Sequence, residues 1–278
     1  MCGRYESWVD DDDLVTILEL EKRGSAEKYL KQAEVFPGTV QPVFYGSRVK
    51  MRAHLSSWGM PAPLPGMGSG GSKTGSERDS ETVSLAGAFA GSGGSPKRPG
   101  GQSRSRMLIN ARAETAAEKP RFAEAFRSGQ GVLRRGVAVA SGYFEWFDGV
   151  KYRIADGDGD LLFLAAIEED DGERSRAEGD LSTVPVFSTS TMPLAAREGA
   201  GSAESTQSAV RPIDPGRRHV ILTCAAACGI ERIHDRMPLL LRREECLPWL
   251  YDDEFAKRRL SRKWGREMAI GKAAAGEE

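Results

Sequence analysis

The chain is poor in the residues that most often build scaffolds or metal sites. Only four cysteines occur in 278 residues, Cys2, Cys224, Cys228 and Cys246. That is too few for a disulfide framework and fits a reducing compartment. Histidine is scarcer still, with His54, His219 and His234 alone. The C-x3-C spacing of Cys224 and Cys228 has no second close pair, so buried free thiols fit better than zinc. No apolar run reaches the roughly 18 residues a spanning helix needs. The start, Met1-Cys2-Gly3-Arg4-Tyr5, soon meets the acidic run 10–13, so the apolar stretch of a signal peptide is missing. An intracellular location is expected. There is no Gly-rich phosphate loop and no internal repeat. Strong charge of one sign is also absent: the formal net charge is −1, which gives the whole chain no polyanion signature. Arginines inside short motifs still allow a local basic cleft.

Several segments carry a periodic signal. Residues 10–23 read as an amphipathic helix capped by aspartates and stopped by Gly24. Residues 35–60 read as short strands broken at Pro37-Gly38 and Pro42. Met107 to Thr115 reads as extended, and Pro120 suits a helix start with Phe122 and Phe126 paired at i, i+4. Val132 to Phe147 and Tyr152 to Ile167 read as long strands. Val220 to Leu241 is a further β-like block, and 253–264 a basic helix. Two stretches, 64–105 and 168–217, are Gly/Ser/Pro-rich or acidic and read as disordered insertions, with a short strand at Val184 to Phe187. Without regular βαβ alternation, the expected fold is a single β-rich α+β domain over 1–266, with antiparallel strands, flanking helices and a flexible tail at 267–278.

Four short segments concentrate reactive side chains. Cys2, once Met1 is removed, carries a thiol and a free α-amine on neighbouring carbons, both partly reactive near neutral pH. Such a 1,2-aminothiol condenses with an aldehyde through nitrogen and closes a five-membered ring through sulfur; the alternative is an ordinary cysteine at a frayed end. In Ile109 to Thr115, an extended chain aligns Asn110, Arg112 and Glu114 on one face, suited to a sugar and a phosphate. The alternative there is a capped helix start with a surface salt bridge. In Gly142-Tyr143-Phe144-Glu145-Trp146, a count by two puts Val137, Val139, Ser141, Tyr143 and Glu145 on one face. A carboxylate ending an apolar face is desolvated, which raises its pKa and suits acid/base work. A solvated strand end is the alternative. In Ile233 to Pro238, His234 and Arg236 point the same way, a titratable group beside a fixed cation; a structural histidine is the alternative.

Taken in order, the segments Met-Cys-Gly-Arg at 1–4, Asn-Ala-Arg-Ala-Glu-Thr at 110–115, Gly-Tyr-Phe-Glu-Trp at 142–146 and Ile-His-Asp-Arg-Met-Pro at 233–238 resemble the SOS-response-associated peptidase family, also described as abasic-site processing proteins. Pro37 through Val43 and Trp58-Gly59 are similar to its weaker early motifs. The resemblance implies a compact β-rich α+β domain in which Cys2 joins the aldehyde of an abasic site in single-stranded DNA as a thiazolidine. It implies that Asn110 holds the N-terminal group, that Glu145 is the acid/base, and that His234 assists proton transfer. Arg4, Arg112 and Arg236 would contact the DNA backbone, and Trp58 would lie near a base or sugar. No cofactor, metal or membrane is implied, and the chain is expected to act as a monomer, nucleoid-associated or cytoplasmic in a prokaryote and nuclear in a eukaryote. The chain departs from the family at Thr223-Cys224-Ala225-Ala226-Ala227, where the family carries Thr-Thr-x-Ala-Asn, and at Gly136-Val137-Ala138-Val139, where it carries Cys-Leu-x-Pro. A different class of function, an N-terminal-nucleophile cysteine peptidase with the Cys2 amine as its own base, fits the same terminus. So does a non-catalytic DNA binder, for which Cys2 would be dispensable.

Overall fold

A computed structural model describes residues 3–8, 31–46, 51–62, 80–84, 106–127, 131–170 and 216–273. Cys2, the expected helix at 10–23 and the expected strand at Val184 to Phe187 lie outside them. The described strands are β1 (Arg4–Trp8), β2 (Lys31–Val35), β3 (Val40–Gly46), β4 (Met51–Trp58), β5 (Met60–Pro61), β6 (Ser80–Ser84), β7 (Arg106–Arg112), β8 (Leu133–Ala140), β9 (Gly142–Phe147), β10 (Val150–Asp156), β11 (Leu162–Asp170), β12 (Arg217–Ala225), β13 (Arg236–Pro238), β14 (Leu240–Leu241) and β15 (Met268–Lys272). Three α-helices accompany them among the described residues: α1 (Ala113–Ala116), α2 (Arg243–Tyr251) and α3 (Asp253–Leu260). The fold is a β-rich α+β domain, as expected.

Two sheets share the core. The smaller has the order β15-β10-β9-β1-β2, and the larger runs β14-β11-β8-β3-β4-β12-β7-β5. Pairing of β11 with β12 closes β11, β8, β3, β4 and β12 into a ring, which leaves those strands no free edge. Continuous apolar runs fit strands covered on both sides. Val137 to Ala140 on β8 and Leu162 to Ile167 on β11 are buried at every position. Helix α2 closes one end, its buried Trp249 donating an indole N–H to the Gly136 carbonyl at 3.0 Å. The buried Arg135 guanidinium binds the carbonyls of Trp249, Leu250 and Ala125 and pairs with Asp253 at 2.8 Å, tying both helices to β8.

Several elements differ from the sequence reading. The long strand at 132–147 breaks at Ser141, so β8 and β9 enter different sheets and the count by two does not run through. Pro42 does not break β3; it sits inside the strand opposite Leu55. The expected helix after Pro120 is a turn followed by a short 3-10 segment, Ala123–Phe126, although Phe122 and Phe126 are buried. Strand β7 ends at Arg112, and Glu114 belongs to α1 rather than to an extended face.

The tail expected at 267–278 contains β15, which pairs antiparallel with β10 from Tyr152↔Lys272 to Asp156↔Met268. Its anchor is Met268, whose sulfur receives the Trp264 indole N–H at 3.1 Å. The backbone ladder and this one buried side chain hold a segment whose composition is unremarkable. Within 64–105, Ser80–Ser84 form β6 against β7. Within 168–217, Glu168 to Asp170 complete β11 and Arg217 begins β12. Apart from Gly216, the remainder of both stretches lies outside the described residues.

Candidate functional site

The first and third motifs meet on the smaller sheet. Strand β1 pairs antiparallel with β9 through Arg4↔Phe144, Tyr5↔Tyr143 and Glu6↔Gly142. One step further along that register sets Gly3 opposite Glu145. Strand alternation puts Tyr143 and Glu145 on the face that carries Tyr5, and all three are buried, Glu145 at 3% exposure. A carboxylate thus ends an apolar face, as the spacing predicts, although only β9 and not β8 supplies that face.

The second and fourth motifs meet on the larger sheet. Asn110, Ala111 and Arg112 of β7 run parallel to Ile221, Leu222 and Thr223 of β12. On its other side β12 pairs with β13, with Ala225 opposite Arg236. Arg236 then closes a fork onto Glu114, Nη1 to Oε1 at 2.7 Å and Nη2 to Oε2 at 2.8 Å, and also donates to the Thr223 carbonyl at 2.6 Å. Burial pushes the Glu114 carboxyl up, but the hydrogen bonds and charge of Arg236 outweigh it and hold the group below the usual carboxylate range. A helix start with a surface salt bridge is therefore what forms here, without a side-chain cap. Asn110 is fully buried. His234 is half-buried, and its Nδ1 lies 2.9 Å from the Arg236 amide and 3.0 Å from Asp235. The Arg236 carbonyl lies 3.2 Å from the same Nδ1, so the direction of these contacts is set by the ring's tautomer.

Trp58 joins the two halves. Its ring lies 5.1 Å from that of Tyr5, tilted by 50°, and its indole N–H donates to the Ile109 carbonyl at 3.0 Å. It therefore stands between the strand that follows Gly3 and the residue that precedes Asn110. Its side chain has no exposed surface. The adjoining Gly59 has φ +123°, and a Cβ there would fall 2.1 Å from the Met107 sulfur, so only glycine fits.

The three expected DNA-contacting arginines differ in their surroundings. Arg4 points to the other face of β1, 3.2 Å from Glu34 and stacked 4.6 Å over Phe36 and 5.0 Å over Trp146. Arg236 is engaged by Glu114. Arg112, half-buried, makes no ion pair among the described residues. The three described cysteines are free thiols. Burial pushes the Cys224 thiol up to about 11 and Cys246 higher still, so neither is a nucleophile at neutral pH. Among the described residues no group of histidine, cysteine and carboxylate side chains could hold a metal, and no helix is long and apolar enough to cross a membrane.

Two neighbours of Glu145 escape the motif reading. Tyr152 lies directly across from Glu145 on β10, and Lys272 directly across from Tyr152 on β15. Folding the chain back at the two-residue Asp148-Gly149 turn, which pairs Phe147 with Val150, would have found Tyr152 opposite Glu145. Lys272 has no such signal, because β15 is distant in sequence.

The chain matches the SOS response associated peptidase (SRAP) family over residues 1–270. It is 31% identical over 148 residues to the abasic site processing protein YedK of Escherichia coli strain K12, a match covering 51% of this chain and 47% of that protein. The matched region thus spans about half the length of that relative. Among solved structures, it is similar to a protein from Bordetella bronchiseptica with a TM-score of 0.55 at 16% identity, covering 99% of this chain and 100% of that one. A protein from Bacteroides thetaiotaomicron gives 0.54 at 17% identity, covering 97% and 90%. At such identities the likeness is one of fold, and it agrees with the match that spans nearly the whole sequence: the chain belongs to the SRAP family.

Proposed function

We propose that this chain processes abasic sites in single-stranded DNA by forming a covalent crosslink through Cys2. The α-amine of Cys2 attacks the aldehyde of the ring-opened abasic sugar, and loss of one water gives an imine. The Cys2 thiol then adds across the C=N bond, sulfur to carbon and a proton to nitrogen, closing a thiazolidine. No electrons are gained or lost. Capture of the aldehyde removes the group that drives strand cleavage by β-elimination.

The observation that carries this reading is the β1–β9 register, which extends to set Gly3, the residue bonded to Cys2, opposite the buried Glu145. In the proposal Glu145 moves the proton that opens the sugar and reverses the crosslink. Asn110 holds the terminal amine, and Nε2 of His234 assists proton transfer. Arg112 takes a backbone phosphate, Arg236 another once its carboxylate partner is exchanged for phosphate, and Arg4 a further one from the opposite face of β1. The likeness to YedK supports the substrate class. A single-stranded substrate is favoured because a duplex crowds the abasic sugar.

Protein with Met1 removed, mixed with an oligonucleotide bearing one abasic site, is expected to give an adduct stable on a denaturing gel. Cys2→Ala abolishes that adduct, and Glu145→Gln slows its formation or reversal by about 10²- to 10⁴-fold. Absence of the adduct from the parent chain refutes the proposal. Peptide turnover that requires Cys2 but no DNA would instead support the N-terminal-nucleophile peptidase that the family's description names.

A further inference from the structure

The smaller sheet carries its charges unequally on its two faces. On the face away from Glu145, the described cations Arg4, Lys151 and Arg153 are matched. Arg4 pairs with Glu34, Lys151 contacts the same Glu34, and the Arg153 Nε donates to Glu6 at 2.9 Å. That face also holds the aromatic surfaces under these cations, with Lys151 4.1 Å over Phe144.

The face shared by Glu145 is different. Across the sheet at one level run Glu145, Tyr152 and Lys272, on β9, β10 and β15 in turn, with Gly3, just ahead of β1, one step beyond the Arg4↔Phe144 pair. Below this row the same face is core: Tyr5, Tyr143 and Ile154 are fully buried. Above it, Phe147 is 51% exposed. Tyr152 is half-buried, and Lys272 is exposed on the edge strand. Among the described residues Lys272 makes no side-chain hydrogen bond or ion pair. Gly271 beside it has open space where a Cβ would be. At about 4.8 Å per strand, Lys272 stands two strand spacings, roughly 10 Å, from Glu145. A flexible ammonium there is within reach of a group flanking the reacting sugar, and no carboxylate among the described residues neutralises it.

We propose that Lys272 is a phosphate-binding residue of the site, and that the row Glu145, Tyr152, Lys272 marks the path by which the DNA backbone leaves the abasic nucleotide across the β15 edge. The proposal rests on the crosslinking function above. Tyr152 lines that path between the carboxylate and the ammonium, and keeps the negative backbone apart from Glu145. An electrostatic contact of this kind is sequence-independent and weakens with salt.

The test measures the rate of adduct formation by the Met1-processed full chain at limiting concentrations of abasic single-stranded oligonucleotide, from low to high salt. Lys272→Ala should slow the reaction several-fold at low salt, and Lys272→Glu more. The log–log dependence of apparent affinity on salt should flatten by about 0.7 for the one phosphate released. Lys272→Arg should restore both rate and slope. Lys257→Ala, which removes the same charge from an exposed site on α3, should change neither. A parent chain that forms adduct while Lys272→Ala keeps its rate and slope refutes the assignment of Lys272 alone. An equal effect from Lys257→Ala refutes it too, in favour of overall charge. No adduct from the parent chain removes this proposal together with the function on which it rests.

Discussion

At the scale of single residues, chemistry separates the cysteines that a count treats alike. Cys246 lies inside α2 with no exposed surface, and Cys224 is buried on β12. Burial disfavours the thiolate of both and leaves them little reactivity near neutral pH. Brief treatment of the native chain with iodoacetamide at pH 7 should therefore label Cys2 and spare Cys224 and Cys246, with peptide mass mapping as the readout. Unfolding in denaturant should make all of them reactive. Labelling of Cys246 at native conditions as fast as Cys2 would contradict the burial of α2 against β8.

At the scale of elements, two ion pairs hold the motif segments in register. Glu114–Arg236 ties α1 to β13, and Glu6–Arg153 ties β1 to β10. For Glu6, as for Glu114, burial pushes the carboxyl up, but arginine hydrogen bonds and charge prevail and leave it below the usual value of 4.5. A carboxyl with a folded pKa below its unfolded one contributes stability above the unfolded value and loses it as pH falls through the folded one. Stability measured by urea unfolding is thus expected to be flat with respect to these groups near neutrality and to decline below about pH 4.5. Replacing Glu6 and Glu114 together by glutamine should lower stability near pH 7 and flatten the acid decline. If the double variant kept the parent's acid slope, these pairs would not be its source. Both partners of each pair could be named from sequence, but the pairings could not. Arg236 and Glu114 are 122 positions apart, and Arg153 and Glu6 147 apart.

At the scale of the whole molecule, Trp58 is the joint between the two sheets. Its ring meets Tyr5 of the smaller sheet while its N–H binds Ile109 of the larger. Trp58→Phe keeps most of the buried ring but removes the donor, and should cost about 1–3 kcal/mol in urea unfolding. A loss well below that range would mean that water or another donor replaces the indole. Because the substitution lies between Tyr5 and Asn110, the folded variant should also form adduct more slowly than the parent.

Local chemistry and short-range periodicity were enough to identify the four motif segments, the β-rich class and the buried carboxylate at Glu145. An apolar alternation and a reactive terminus are properties of neighbouring residues, and these are legible without a partner. Register, sheet membership and ion pairing are properties of residues far apart in the chain, and only the tertiary structure decides them. Ser141 divides one apolar run between two sheets because its N–H and hydroxyl both turn to Glu6. Trp58 became a core residue because β1 and β7 close over it. Met268–Lys272 became a strand because β10 offered an open edge, and that pairing set Lys272 in line with Glu145.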